Sequence, residues 1–135
     1  MRKPVILSFT LLLILFSCNS SNNSNPQTDI ETANVFIRNI LDNKLDAAEN
    51  YLYKDESNIQ YFTRFREMWG RQSKTELDNF KKAEIFINEN NVVADSVTII
   101  NYSNSYKPEK KNALKLIYVN KKWLIDFKYT FSGNM

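Results

Sequence analysis

The chain has 135 residues, 43% hydrophobic and 13% aromatic, which suits one folded core of ordinary domain size and excludes a disordered polyelectrolyte. It carries 18 basic and 15 acidic residues, one Cys and no His. A disulfide framework, a cysteine zinc or iron–sulfur cluster, a histidine metal site and the histidine triads of hydrolases are thereby excluded, and no cofactor or metal is expected.

Arg2 and Lys3 precede an apolar run from Val5 to Phe16, broken only by Ser8 and Thr10. The run is shorter than the ~20 residues a membrane-spanning helix needs, and residues 1–17 have the shape of a secretory signal peptide. Leu15-Phe16-Ser17-Cys18 closes it, with a small residue directly before the lone Cys. From the residues alone, an ordinary cleaved signal or a short buried helix with an incidental Cys has the same pattern. The tetrad resembles the lipobox of bacterial lipoproteins, and its bulky second position resembles the variants of Bacteroidota lipoproteins. That resemblance implies cleavage before Cys18, diacylation of its sulfur and acylation of the new amine. Two or three acyl chains on one residue anchor stably, where a single chain binds only marginally. Asn19 stands where enterobacterial lipoproteins retained in the inner membrane carry Asp, and no acidic run follows. The resemblance therefore implies the outer membrane and its periplasmic side.

Residues 18–27 form the lipidated Cys and a tether. Ser20 to Gln27 has neither charge nor apolar side chain and reads as a flexible linker, with one domain over 28–135. Without Arg2 and Lys3 the basic residues number 16 against 15 acidic, so nucleic acid is a poor partner. The charge is uneven. Residues 107–135 hold seven Lys against Glu109 and Asp126, and residues 29–60 hold seven acids against three bases. A Lys-rich end of this kind suits lipid headgroups, an anionic partner or simply a solvated hairpin face.

Thr28-Asp29-Ile30-Glu31 has the form of a capping box, followed by Ala33, Ile37, Ile40 and Leu41 at helical spacing. Asp42 and Asn43 can cap a second, short helix in which Leu45, Ala48, Tyr51 and Leu52 share a face. Asp55 to Asn58 starts a third, with Ile59, Phe62, Phe65 and Trp69 on one side, and Gly70 is expected as its left-handed C-cap. Arg64, Arg66, Arg71 and Lys74 cluster at this helix end, where cations are favoured without any ligand.

From Leu77 the period reads as two. Ala83, Ile85 and Ile87 mark a first strand, and Asn90-Asn91 is expected to turn the chain. Val93, Val97 and Ile99 line one face of a long second strand. Leu114, Leu116 and Tyr118 mark a third, Asn120-Lys121 or Lys121-Lys122 a tight turn, and Trp123, Ile125 and Phe127 a fourth. The expected class is α+β, three helices packed on a curved four-stranded antiparallel sheet.

Three helices followed by such a sheet resemble the nuclear-transport-factor-2-like (cystatin-like) cone. Lys44-Leu45-Asp46-Ala47-Ala48 and Trp123-Leu124-Ile125-Asp126 resemble segments of small bacterial lipoproteins carrying an uncharacterised domain of that fold. In such a cone Tyr51, Tyr61, Phe65, Trp69, Tyr102, Tyr118 and Trp123 would line a pocket for an apolar ligand, or fill the interior. Alternation turns Asp126 outward if Trp123 and Ile125 point inward, and Asp95 is inward only if Val93 and Val97 are. The expected function is a lipid-anchored envelope protein that binds a small apolar ligand or another envelope protein, without catalysis. The alternative is an isomerase- or dehydratase-like enzyme with an inward carboxylate and a Tyr. Doubled apolar alternation over Val92 to Tyr102 also suits a homodimer through the sheet.

Overall fold

A computed structural model describes residues 25–131; the expected signal peptide (1–17) and Cys18 lie outside the described residues. Helix α1 (Asp29–Leu41) begins with the expected capping box. Thr28 Oγ1 accepts from Glu31 N, and the Glu31 carboxylate reaches back to the Thr28 amide. Those amide contacts, that from Gln27 foremost, lower the Glu31 pKa. Asn43 takes a left-handed φ of 59° and turns the chain into α2 (Leu45–Glu49). Asp55 caps α3 (Glu56–Trp69) by accepting from Asn58 N at 2.7 Å.

Two expectations fail at the end of α3. Gly70 is right-handed, with φ −65°, so it is not the left-handed cap. Leu77 does not open a strand but lies on a fourth helix, α4 (Lys74–Lys82), started by a second capping box between Ser73 and Glu76. Arg38 holds the far end of α4, donating to the carbonyl oxygens of Ala83 (2.9 Å) and Lys81 (3.2 Å). A guanidinium there satisfies carbonyls that have no helical partner.

Four strands follow: β1 (Ile85–Ala94), β2 (Val97–Asn104), β3 (Asn112–Val119) and β4 (Lys122–Ile125). They form one antiparallel meander in the order β1-β2-β3-β4. Asn90-Asn91 is not a turn. Both residues pair in register with Ile100 and Ile99, and the chain reverses at Asp95-Ser96. The β3–β4 turn is Asn120-Lys121, both at positive φ (50° and 63°), the geometry whose twist matches a two-residue hairpin. Lys is strained there and Gly is not. Lys121→Gly is therefore expected to raise stability by about 0.5–1 kcal/mol in urea unfolding, and a loss would mean the turn is not held in this form.

Phe127 does not continue β4. The strand ends at Ile125 and the chain enters a five-residue helix, α5 (Phe127–Phe131), whose Thr130 hydroxyl donates to the Ala113 carbonyl at 2.7 Å. The molecule is thus α+β with helices on a four-stranded antiparallel sheet, as expected, but it is not the nuclear-transport-factor-2-like cone. Its sheet neither closes nor curls strongly. The β1–β2 pairing carries two register shifts, at Ile87/Glu89 and Val92/Ala94. Among the described residues four helices, rather than three, precede the sheet, and a fifth follows it.

The core lies between the helices and the face carrying Thr98, Ile100, Leu114, Leu116 and Ile125, all at most 1% exposed. Its helical side is a run of rings. Phe62 has ring centroids 6.3 Å from Phe36, 5.7 Å from Phe65 and 5.2 Å from Phe127. The run continues from Phe65 through Trp69 and Phe80 to Tyr106. A chain this short needs such large side chains to bury enough surface.

Candidate functional site

An open groove of ≈ 1030 Å³ lies at the β3–β4 hairpin. One wall is aromatic: Tyr118 and Trp123, partners across the hairpin with ring centroids 5.2 Å apart, and Tyr51 from the end of α2. The other wall comes from α1, through Val35 and Asn39, and from residues 25–27 leading into it. Lys121 and Lys122 stand exposed at the mouth. A shallower hollow of ≈ 460 Å³ adjoins it and shares Asn50, Lys122 and Leu124.

Register explains how the groove arises. Tyr118 and Trp123 lie on the same sheet face as Leu116 and Ile125, two residues away along each strand. Those two are buried, whereas Tyr118 is 43% exposed. The rings therefore continue the core face past the packed interior. The edge of β4 is covered only in part. Ile125 donates to Tyr51 O at 2.8 Å, and Tyr53 N donates to Ile125 O at 2.9 Å, in a single parallel bridge. Alternation along the strand turns the Trp123 amide and carbonyl toward the same edge, beside the groove.

Of the seven ring residues picked out in the sequence, the structure brings together Tyr51, Tyr118 and Trp123 in this groove. Phe65 and Trp69 instead belong to the ring run of the core. Tyr61 packs on the core with the Arg64 guanidinium 5.7 Å from its ring centroid. Tyr102 is part-buried on the core-facing side of β2, and burial pushes its phenol pKa up. Sequence reasoning missed Val35, Asn39, Ala47 and Leu124. The first two sit i,i+4 on a flank of α1, a spacing that gives them one shared direction but no apolar signature.

Asp126 is not outward-facing. Its side chain is 7% exposed, with Lys115 Nζ 3.3 Å from Oδ2 and Lys128 Nζ 3.2 Å from Oδ1. Alternation misplaced it because β4 ends one residue earlier. Lys128 also donates to Asp55 Oδ2 at 2.8 Å, and its backbone N–H donates to the Oδ1 of Asn58, a fully buried residue. The Lys128 hydrogen bond, followed by the Asn58 amide, lowers the Asp55 pKa, and the Asp55 bond foremost raises that of Lys128. The cluster ties the start of α3 to β3 and α5. Ammonium groups face both oxygens of the carboxylate, an arrangement that serves as a clamp.

Asp95 is exposed at the β1–β2 turn. Within the basic cluster, Arg66 bridges α3 to α2 through Asp46 and Glu49, both at 2.6 Å, contacts that raise its pKa, and Lys74 pairs with Asp78. Among the described residues there is no group of three or more His, Cys, Asp or Glu placed to hold a metal ion, and no helix is long and apolar enough to cross a membrane. No family model, curated protein or solved structure matches the chain.

Proposed function

We propose that the chain is a lipid-anchored envelope protein, acylated on Cys18, whose folded part is a binding module with the groove at Trp123 as its ligand seat. The observation that carries the binding reading is the convergence of Tyr51, Tyr118 and Trp123, from three separate segments, on one open groove. Rings that merely filled space would be enclosed like Phe62. Tyr118 is exposed and the part-buried Tyr51 and Trp123 line the same groove, flanked by the amides of Asn39 and Asn50 that can orient a polar edge. The ligand expected there has one flat apolar face and one hydrogen-bonding edge. The anchor reading rests on the apolar run and Ser17-Cys18, with the outer membrane, periplasmic side, as the location it favours.

Each half has its own test. Cells fed an alkyne fatty acid should label the wild-type chain and not Cys18→Ser, and equal labelling would remove the anchor. For the groove, anilinonaphthalene sulfonate is a suitable flat, anionic probe for the polypeptide from residue 19 onward, which keeps every described residue. Trp123→Ala is expected to weaken its binding about tenfold, equivalent to ~1.4 kcal/mol. An unchanged titration would remove the groove as the seat.

A further inference from the structure

Among the described residues, Val92 and Val93 are the most exposed large apolar side chains, at 71% and 61%. They lie just before the Asp95-Ser96 turn of the β1–β2 hairpin. In an antiparallel meander this turn and the Asn120-Lys121 turn fall at the same end of the sheet. The Tyr118 amide donates to Ser96 O at 2.8 Å, which joins the two tips directly. Tyr118, Lys121 and Lys122 therefore share that end with the two valines. So does the entry of the chain, because residues 25–27 line the groove alongside Tyr118, Lys121 and Lys122. Phe86 and Met68, also exposed, stand singly elsewhere and need no partner.

We propose that the domain rests on the lipid bilayer by this end, with Val92, Val93 and Tyr118 in the headgroup layer and Lys121 and Lys122 against lipid phosphates. The proposal rests on the anchor reading, and the tether supplies its occupant. Six residues lie between Cys18 and Asn25, so seven fully extended Cα–Cα steps reach at most about 25 Å. An acylated Cys18 would hold this end, rather than the far one, at the membrane, at high effective concentration. The side chains match that environment. Tyr and Trp are favoured at the water–lipid boundary, and Lys is drawn to anionic headgroups. Asp95, at the first tip, limits entry to headgroup depth.

The test uses the acylated full chain in phosphatidylethanolamine vesicles containing phosphatidylglycerol, with a nitroxide on Val93→Cys or, at the opposite end, on Lys110→Cys. Cys18 is the natural chain's single Cys, and acylation blocks it from the label. Collision with oxygen relative to a water-soluble nickel complex is expected to be several-fold higher at 93 than at 110. Equal, water-like values on protein that floats with the vesicles would overturn the inference and leave the anchor standing. Spin–spin broadening at 93 would overturn it in favour of a second copy at the tips. Protein that does not float would remove the anchor and the inference with it.

Discussion

Phe62→Ala is expected to lower the stability of the domain by about 3–5 kcal/mol, the range for deleting a buried phenyl ring. Phe62 is 1% exposed and touches rings from three other places in the chain: Phe36 on α1, Phe65 one turn on, and Phe127 on α5. It also lies under the Arg66 guanidinium, 5.6 Å from its ring centroid. Truncation leaves a void that those elements cannot all close, because each is fixed by its own backbone contacts. Domains of this size have about 5–15 kcal/mol in total, so the variant would sit close to unfolding. Urea melts should show a midpoint lower by ~1.5 M or more, whereas Phe86→Ala, on the exposed side of β1, should change little. A loss below ~1 kcal/mol at Phe62 would mean that the ring run is not packed as described.

Lys128→Met should be the next most costly change, about 2–3 kcal/mol at pH 7. Breaking a buried ion pair leaves a charge without compensation, and the half-exposed Lys128 head places the loss at the low end of that effect. Asp126, 5% exposed overall, would keep only Lys115, and Asp55 would keep only the Asn58 amide. The double variant Lys128→Met with Asp126→Asn should recover part of the loss, and simple additivity would show that the pair is not coupled. Lys74→Met, which breaks an exposed pair within α4, should stay under ~0.5 kcal/mol.

The pH profile separates the two ends of the cluster. Asp55 has a depressed folded pKa, so its contribution is present above the unfolded value, near 4, and is lost as pH falls through the folded value. The main cause of the depression is Lys128. Lys128→Met should therefore flatten the acid limb, and the two proteins should converge near pH 2. At the alkaline end the sign reverses. The folded Lys128 pKa is raised, so its share is full below about 10.5 and is lost as pH rises through the folded value.

What the sequence disclosed was local. Thr28 with Glu31, Asp55 with Asn58, and Asn120-Lys121 each act on groups within three residues, so side-chain chemistry alone places them. Asn90-Asn91 misled because its turn preference competes with a ladder whose other half lies ten residues on. Pairing with Ile100 and Ile99 prevails, and Glu89 accepts from Asn101 across the strands at 2.9 Å. Helix α4 was hidden because only Leu77 and Phe80 mark its apolar face, and its start is announced by polar residues, Ser73 and Glu76. Phe127 fits alternation and helix equally well, and only its fit among Phe36, Phe62 and Phe65 decides. The openness of the sheet was not legible at all, since closure depends on register and stagger rather than on residue type. In the groove, rings could be chosen by type, but which of them stand past the helices depends on where α1 and α2 cross the sheet.

The position of Phe127 also sets an order of events for a chain that emerges from its N-terminus. This ring, four residues from the last described one, packs against Phe36, Phe62 and Phe65, and the parallel bridge joins Leu52 to Ile125 across more than half the chain. Contacts so distant in sequence form only after the intervening segment has been gathered in. A polypeptide emerging N-terminus first would keep its helices without their central aromatic neighbour until residue 127 had emerged. Closure of the aromatic core is therefore deferred until the segment carrying Ile125 and Phe127 is available to pack.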